Sequence, residues 1–305
     1  MRIVLAGSGG LIASALRPAL EVAGHRVERL VRPGTAGPGI AWDPVEGTID
    51  RAGLEGVDAV VNLAGRSIGA RRWDRAERGL IVQSRVAATL LLAGALSALR
   101  RPPAVLLNAS AVGYYGDRPG ERLTEGSGPG AGFFPEVCRH WEAATAPAAQ
   151  AGVRVVCLRS GVVLSGAGGA LERVLAPFGP RWLSPYRWGW GGWLGDGRQM
   201  WSWIALEDEV RAMVHLLGSA LAGPVNLTAP EPVDNRRFMK AVGKALRRPV
   251  WFPIPRPVPR LLLGRGLADA ALFDSQAAYP ERLEADGFRF LHPEVEGALE
   301  AVLGG

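Results

Sequence analysis

The feature that most constrains this chain is an alternation. Between residues 2 and 158, short apolar runs stopped by glycine, proline or asparagine take turns with longer stretches of helical periodicity. Arg2 to Ala6 reads RIVLA, ends in Gly7-Ser8-Gly9-Gly10, and is followed from Leu11 to Ala23 by apolar residues at helical spacing. Further strand-like runs fall at Arg26 to Val31, Val57 to Leu63, Ala104 to Asn108 and Val153 to Leu158, while helical periodicity fills Asp74 to Leu99 and Phe133 to Ala151. Strands separated by helices of that length are joined by crossovers, so they run parallel with both faces covered. The expected fold is therefore α/β, a doubly wound parallel sheet. Beyond Gly161 the sequence becomes rich in Gly, Pro and Trp, with helices expected at Glu207 to Leu221, Asn235 to Leu246, Pro257 to Ala271 and Pro293 to Leu303. This predicts a doubly wound domain over 1–165, with a return contribution near 201–228, and a smaller, mostly helical lobe over 166–305.

Composition removes several classes of function. The longest mainly apolar run, Val86 to Leu99, is interrupted by Thr89, Gly94 and Ser97 and is shorter than the ~20 residues of a membrane span. No secretory signal is recognised at the start, so the expectation is a cytoplasmic chain without a membrane partner. Two cysteines, Cys138 and Cys157, and four scattered histidines make neither a disulfide framework nor a four-ligand metal site. The net charge of +6 comes from arginines spread singly or in pairs rather than in a stripe, which argues against a nucleic-acid partner. Only two lysines occur, Lys240 and Lys244.

The first turn reads Gly7-x-x-Gly10-x-x-Ala13, directly after a strand and before a helix. Two glycines let the chain turn tightly and bring backbone N–H groups and the positive helix end against a pyrophosphate; the third position needs only a small residue. At the end of the second strand, where NAD sites carry a carboxylate for the ribose hydroxyls, stands Arg32. A guanidinium there favours NADP(H), the alternative being a solvent-exposed arginine. Gly65-Arg66-Ser67-Ile68-Gly69 matches a serine-hydrolase nucleophile elbow, but four further residues separate it from the next helix, so Ser67 hydrolysis is a remote alternative.

Longer motifs carry more information. NLAG at Asn62 to Gly65, SAVGYYGD at Ser110 to Asp117, EVCRHWE at Glu136 to Glu142, LRSGVVL at Leu158 to Leu164, GPVNLTAPEPVDN at Gly223 to Asn235 and the tail GFRFLHPEVEGAL span nearly the whole chain. Together they resemble the atypical extended short-chain dehydrogenase/reductases, often labelled epimerase-family or nucleoside-diphosphate-sugar-epimerase-like proteins, whose substrates are generally unassigned. The resemblance implies a Rossmann fold that binds NADP(H). It places Gly7, Gly10, Leu11 and Ile12 at the pyrophosphate, Arg32 at the 2′-phosphate, and Leu63, Ala64 and Gly65 near the adenosine. Arg85 is a further cofactor candidate, as is Val163, near the nicotinamide.

Two departures from the family stand out. Ile204-Ala205 replaces the usual Ile-His before the acidic pair, and residues Gly179 to Tyr186 are inserted ahead of Arg187. Six of the ten tryptophans (182, 188, 190, 193, 201, 203) crowd that region, which is either local packing, a flap over the substrate or an oligomer contact. Ordinary members also pair a tyrosine with a lysine four residues later on one helical face, the cation lowering the phenol's pKa. Aligned on Glu142, those positions hold Phe134 and Cys138, and the usual serine falls at or beside Ser110. Cys138 is expected to pack rather than react. Tyr114 and Tyr115, on the loop after the fifth strand, remain as candidate proton donors. The reading is thus an NADP(H)-dependent oxidoreductase or epimerase acting on a small polar, sugar-like molecule; the rival is a regulatory protein that senses NADPH without chemistry. A homodimer is left open.

Overall fold

The computed structural model describes residues 1–69, 71–175, 186, 189 and 191–304. Its first half builds β1 (Arg2–Ala6), α1 (Leu11–Val22), β2 (Arg26–Val31), β3 (Ile40–Asp43), β4 (Thr48–Ile49), α2 (Arg51–Leu54), β5 (Ala59–Asn62), α3 (Arg75–Ser97), β6 (Val105–Ala111), β7 (Arg122–Leu123), α4 (Phe133–Ala143), α5 (Ala146–Gln150) and β8 (Arg154–Ser160). After β9 (Val162–Leu164) come α6 (Ala170–Leu175), β10 (Gly191–Leu194), β11 (Met200–Trp201), β12 (Trp203–Ala205), α7 (Leu206–Gly218) and β13 (Gly223–Leu227). The chain ends with β14 (Val233–Asp234), α8 (Asn235–Ala245), β15 (Val250–Ile254), α9 (Pro257–Leu263), α10 (Arg265–Ala268), β16 (Ala277–Ala278), α11 (Glu281–Ala285) and α12 (Val295–Leu303).

The main sheet has the order β13-β8-β6-β5-β1-β2-β3-β4, parallel throughout except for the β3–β4 edge. This is the expected doubly wound arrangement. Apolar side chains on the two faces form separate cores: Ile3, Leu5, Val61, Leu107 and Leu158 pack toward α1 and α7, whereas Val4, Val60, Leu106 and Val155 pack toward α3. That two-sided burial explains why the strands read as continuous apolar runs. A third core, with Trp201, Trp203, Phe238 and Leu299, holds the C-terminal elements together.

Several boundaries differ from expectation. The helix expected from Phe133 to Ala151 is broken into α4 and α5, because Pro147 fits only the first turn of a new helix. The stretch Pro257 to Ala271 is divided at Gly264, which takes φ +82°. Strand β3 was not legible among its flanking glycines and prolines. Helix α3 has the length and apolar character of a membrane span (mean hydropathy 1.6), yet it buries Ile81, Thr89, Leu92 and Leu96 within the fold and contacts α4 and α5. Of residues 179–190, which include the insertion, only Tyr186 and Gly189 lie among the described residues; Trp182, Trp188 and Trp190 lie outside them. Trp201 and Trp203 are buried in the third core, and Trp193 packs against that core, its ring 4.4 Å from the Arg236 guanidinium carbon.

Candidate functional site

The parallel register lines up polar residues where the strands end. Asn62 on β5 pairs with Asn108 on β6, and two residues further Ser110 on β6, Arg159 on β8 and Asn226 on β13 stand side by side. The carboxyl ends of the strands, where open α/β sheets bind ligands, thus carry a row of buried polar groups.

The glycine turn is built for close approach. Gly7 takes φ +76°, and a Cβ there would lie 2.6 Å from the Leu63 carbonyl and 2.8 Å from Ala64 N, so only glycine lets β1 turn against the NLAG loop. Gly10 begins α1 without a side-chain cap, leaving the first-turn N–H groups available. Across from it, a Cβ on Gly169 would come 2.9 Å from Leu11 Cδ2, so the segment after β9 covers the start of α1, beside Ile12. Val163, in the middle of β9, is partly buried. The NLAG loop is fixed from below. Asn62 Nδ2 donates to Asn108 Oδ1 (2.7 Å) and to Thr89 Oγ1 (3.0 Å), while its Oδ1 accepts from Ala64 N. Trp141 Nε1 also donates to Thr89.

Arg32 is exposed just after β2; its carbonyl accepts from Thr35 N, and its side chain shows no hydrogen bond or ion pair among the described residues. Arg85 is the opposite case: it is 8% exposed, with its guanidinium 5.0 Å from the Trp141 ring and its carbon 3.4 Å from a Cβ position on Gly65. Among the described residues its guanidinium makes one hydrogen bond, from Nη1 to Ile81 O at 3.3 Å, and its Nε has no partner. Burial lowers its pKa, and no carboxylate among the described residues pairs with it. A buried guanidinium in that condition is held at a cost unless a ligand completes it.

Arg159 lies beneath the same strand ends, fully answered. Its Nε and Nη2 donate to the two carboxylate oxygens of Glu142 at 2.8 and 2.9 Å, and its Nη1 donates to Tyr115 Oη at 3.0 Å. Burial works against its charge, but Glu142 outweighs that and holds the pKa above the usual value. Ser110 Oγ donates to Glu142 at 2.7 Å.

The candidate hydroxyls are now separable. Tyr115 is 0% exposed, with its Oη within 2.8 Å of Asn226 Oδ1 and 3.0 Å of Thr124 O, and burial raises its pKa. Its proton is committed inside the protein, which counts against the role of donor to a substrate. Ser110 has likewise given its hydrogen to Glu142. Tyr114 is only half-buried, its ring 3.5 Å from the Arg159 guanidinium carbon, and its hydroxyl has no protein partner among the described residues. The sequence did not single out Arg159, Asn226 or Thr89; polar residues inside strands otherwise read as apolar are the signal that finds the first two. Cys138 is fully buried, and burial pushes its thiol up to about 12, so it packs as expected. Ser67 is exposed, and among the described residues that follow it no helix starts until Arg75, whereas an elbow leads directly into one. Among the described residues, no three of His, Cys, Asp and Glu gather as a metal site would require.

Strand order, glycine turn and strand-end polar row define a Rossmann-like α/β protein of the short-chain dehydrogenase/reductase and epimerase kind. More specifically, the chain belongs to the NAD dependent epimerase/dehydratase family, whose sequence model matches residues 3–227; a domain of unknown function, DUF1731, matches 254–302. The epimerase family protein Mb2239 of Mycobacterium bovis is 44% identical over 299 residues, covering 97% of this chain and 96% of that one. The crystal structure of the human epimerase family protein SDR39U1 (isoform 2) with NADPH is 32% identical, covers 99% of both chains and superposes with a TM-score of 0.88. A Thermus thermophilus UDP-glucose 4-epimerase with NAD, 22% identical over all of this chain and 98% of its own, shares the fold with a TM-score of 0.75.

Proposed function

We propose that this chain binds NADP(H) at the β1–α1 turn and acts as an oxidoreductase or epimerase-like enzyme on a small molecule. The carrying observation is Arg85, a buried guanidinium beside Gly65 with, among the described residues, an unmet Nε and no carboxylate. It supports a ligand that brings its own acceptors, and the NADPH in the human relative's structure is of that kind. In this reading Gly7, Gly10, Leu11 and Ile12 hold the pyrophosphate, and Arg32 takes the 2′-phosphate. Leu63, Ala64 and Gly65 line the adenosine side, with Val163 at the nicotinamide end. The bound nicotinamide would supply hydride chemistry.

Ser110, held by Glu142, orients a substrate oxygen through its free lone pairs rather than by donation. Tyr114 replaces Tyr115 as the candidate proton donor, because its hydroxyl alone of the three is uncommitted. Tyr115 positions the strand ends from beneath. The partner is a small molecule rather than nucleic acid, the compartment the cytoplasm, and a homodimer is a question for mass measurement in solution.

The committed protons of Ser110 and Tyr115 favour one second reading, an NADPH-sensing protein without turnover. Titration with NADPH and NADH, followed by NADPH oxidation against a carbonyl panel, separates the two. An enzyme binds NADPH and oxidises it with at least one carbonyl, a sensor binds it and oxidises nothing, and failure to bind either cofactor overturns both.

A further inference from the structure

Beside the short turn that follows β6, three aromatic rings come together from two elements. Trp73, on the loop between β5 and α3, lies 5.2 Å from Phe133 at 70° and 5.9 Å from Phe134 at 35°. All three are only partly buried. Their placement is tight: the Phe134 ring lies on the backbone of Gly113, three residues beyond Ser110, where any Cβ would strike it. Trp73 Nε1 is held by Ile68 O at 2.8 Å. From the C-terminal side, α10 closes in, since a Cβ on Gly266 would lie 3.7 Å from the Trp73 ring and 3.1 Å from Arg78 Nη2. Arg72 secures the approach by donating to the Leu261 and Leu262 carbonyls of α9.

This wall offers area rather than hydrogen bonds. Its one ring N–H is already used, and aromatic faces and edges recognise planar rings through area and quadrupole. Its charge is one-sided. Between Arg66 and Arg78 stand five arginines and two acids, Asp74 and Glu77. Asp74 is spent capping α3, and Glu77 is paired with Arg66 at 2.7 Å. Arg78, its guanidinium carbon 5.0 Å from the Phe133 ring, has no carboxylate partner among the described residues. A cation beyond an aromatic surface favours a ring that carries negative charge.

We infer that the substrate pocket of this chain takes a planar aromatic anion, stacked against Trp73, Phe133 and Phe134 with its charge toward Arg78. This deepens the NADP(H)-enzyme reading and rests on it for the position of the pocket; it replaces the sugar-like substrate that the sequence suggested.

The test is a calorimetric titration of the NADPH-saturated protein with 2-naphthoate, 2-naphthol, cyclohexanecarboxylate and UDP-glucose. 2-Naphthoate is expected to bind about tenfold more tightly than cyclohexanecarboxylate. Trp73→Ala and Phe134→Leu are each expected to weaken 2-naphthoate about tenfold with NADPH affinity unchanged, the leucine keeping an apolar side chain over Gly113. Arg78→Gln should weaken 2-naphthoate several-fold and leave 2-naphthol as it was. Equal affinity for the flat and the non-planar carboxylate overturns the inference, as does binding that survives both ring substitutions. Displacement of 2-naphthoate by a lower concentration of UDP-glucose overturns it too. If NADPH itself does not bind, the cofactor reading falls, and the same naphthoate titration on the free protein still decides the wall.

Discussion

Two buried arginines sit near the strand ends in opposite states. Around Arg159 every charge is answered: a bidentate carboxylate, a phenol and a serine close the network. Around Arg85 there is one backbone carbonyl, an indole face and an unmet Nε. The first region is finished by the fold. The second is left unfinished by the described residues. Burial alone therefore does not single out an arginine for a ligand; in the reading proposed above, burial without a counter-charge does.

The comparison is broken most directly by removing the partner of the finished arginine. Glu142→Ala leaves Arg159 buried and unpaired and should cost about 3–5 kcal/mol in urea unfolding, more than any change at Arg85. A mild loss would mean the two regions are not different in kind.

A buried carboxyl supplies the next test. Glu209 on α7 accepts from Ser160 at 2.6 Å, has an unmet Oε2, and is pushed by burial up to about 8. It is therefore neutral where an ordinary glutamate is charged. Because its folded pKa is raised, the stability it contributes is full below the ordinary glutamate range and is lost as pH rises to about 8. Over that span the loss should reach about 2–4 kcal/mol, and Glu209→Gln should flatten the pH profile of unfolding. A flat wild-type profile would show that an orphaned buried oxygen can stay charged, weakening the contrast drawn for Arg85.

Arg32 extends the comparison to an exposed cation without a partner. Wild type should prefer NADPH over NADH by about ten- to a hundredfold, and Arg32→Ala should erase the preference while sparing NADH. Equal cofactor affinities in the wild type would remove the assignment.

The smallest effect is the most diagnostic. Arg85→Met should weaken NADPH about tenfold while leaving the unfolding midpoint unchanged or higher, because an uncompensated buried charge has been replaced by an apolar chain. Destabilisation with unchanged NADPH affinity would make Arg85 a structural residue like Arg159.

What the sequence revealed followed the range of the physics involved. The glycine turn, the strand–helix alternation and the start of α3 at Asp74 depend on neighbours a few residues apart, and all could be read. The break between α4 and α5 was visible in Pro147 but outweighed by helical periodicity on either side. Choosing between Tyr114 and Tyr115 was beyond periodicity, because the short turn at 112–115 sends adjacent side chains in different directions. Tyr115 is committed by Asn226, 111 positions away, and that pairing exists only once β13 has joined β8. The aromatic wall was invisible for the same reason: Trp73 and Phe133 meet only through the crossover.

That late strand also sets a timetable for the newborn chain. β8 ends at Ser160 and β13 begins at Gly223, so more than sixty residues must leave the ribosome before the sheet can close. At ~5–20 residues per second this is an interval of several seconds. Throughout it the unpaired N–H and C=O groups of β8, flanked by the apolar side chains Val155 to Leu158, stand open to any passing strand, which is the usual template for aggregation. Codons that slow translation between β8 and β13 would lengthen that interval without changing a single residue.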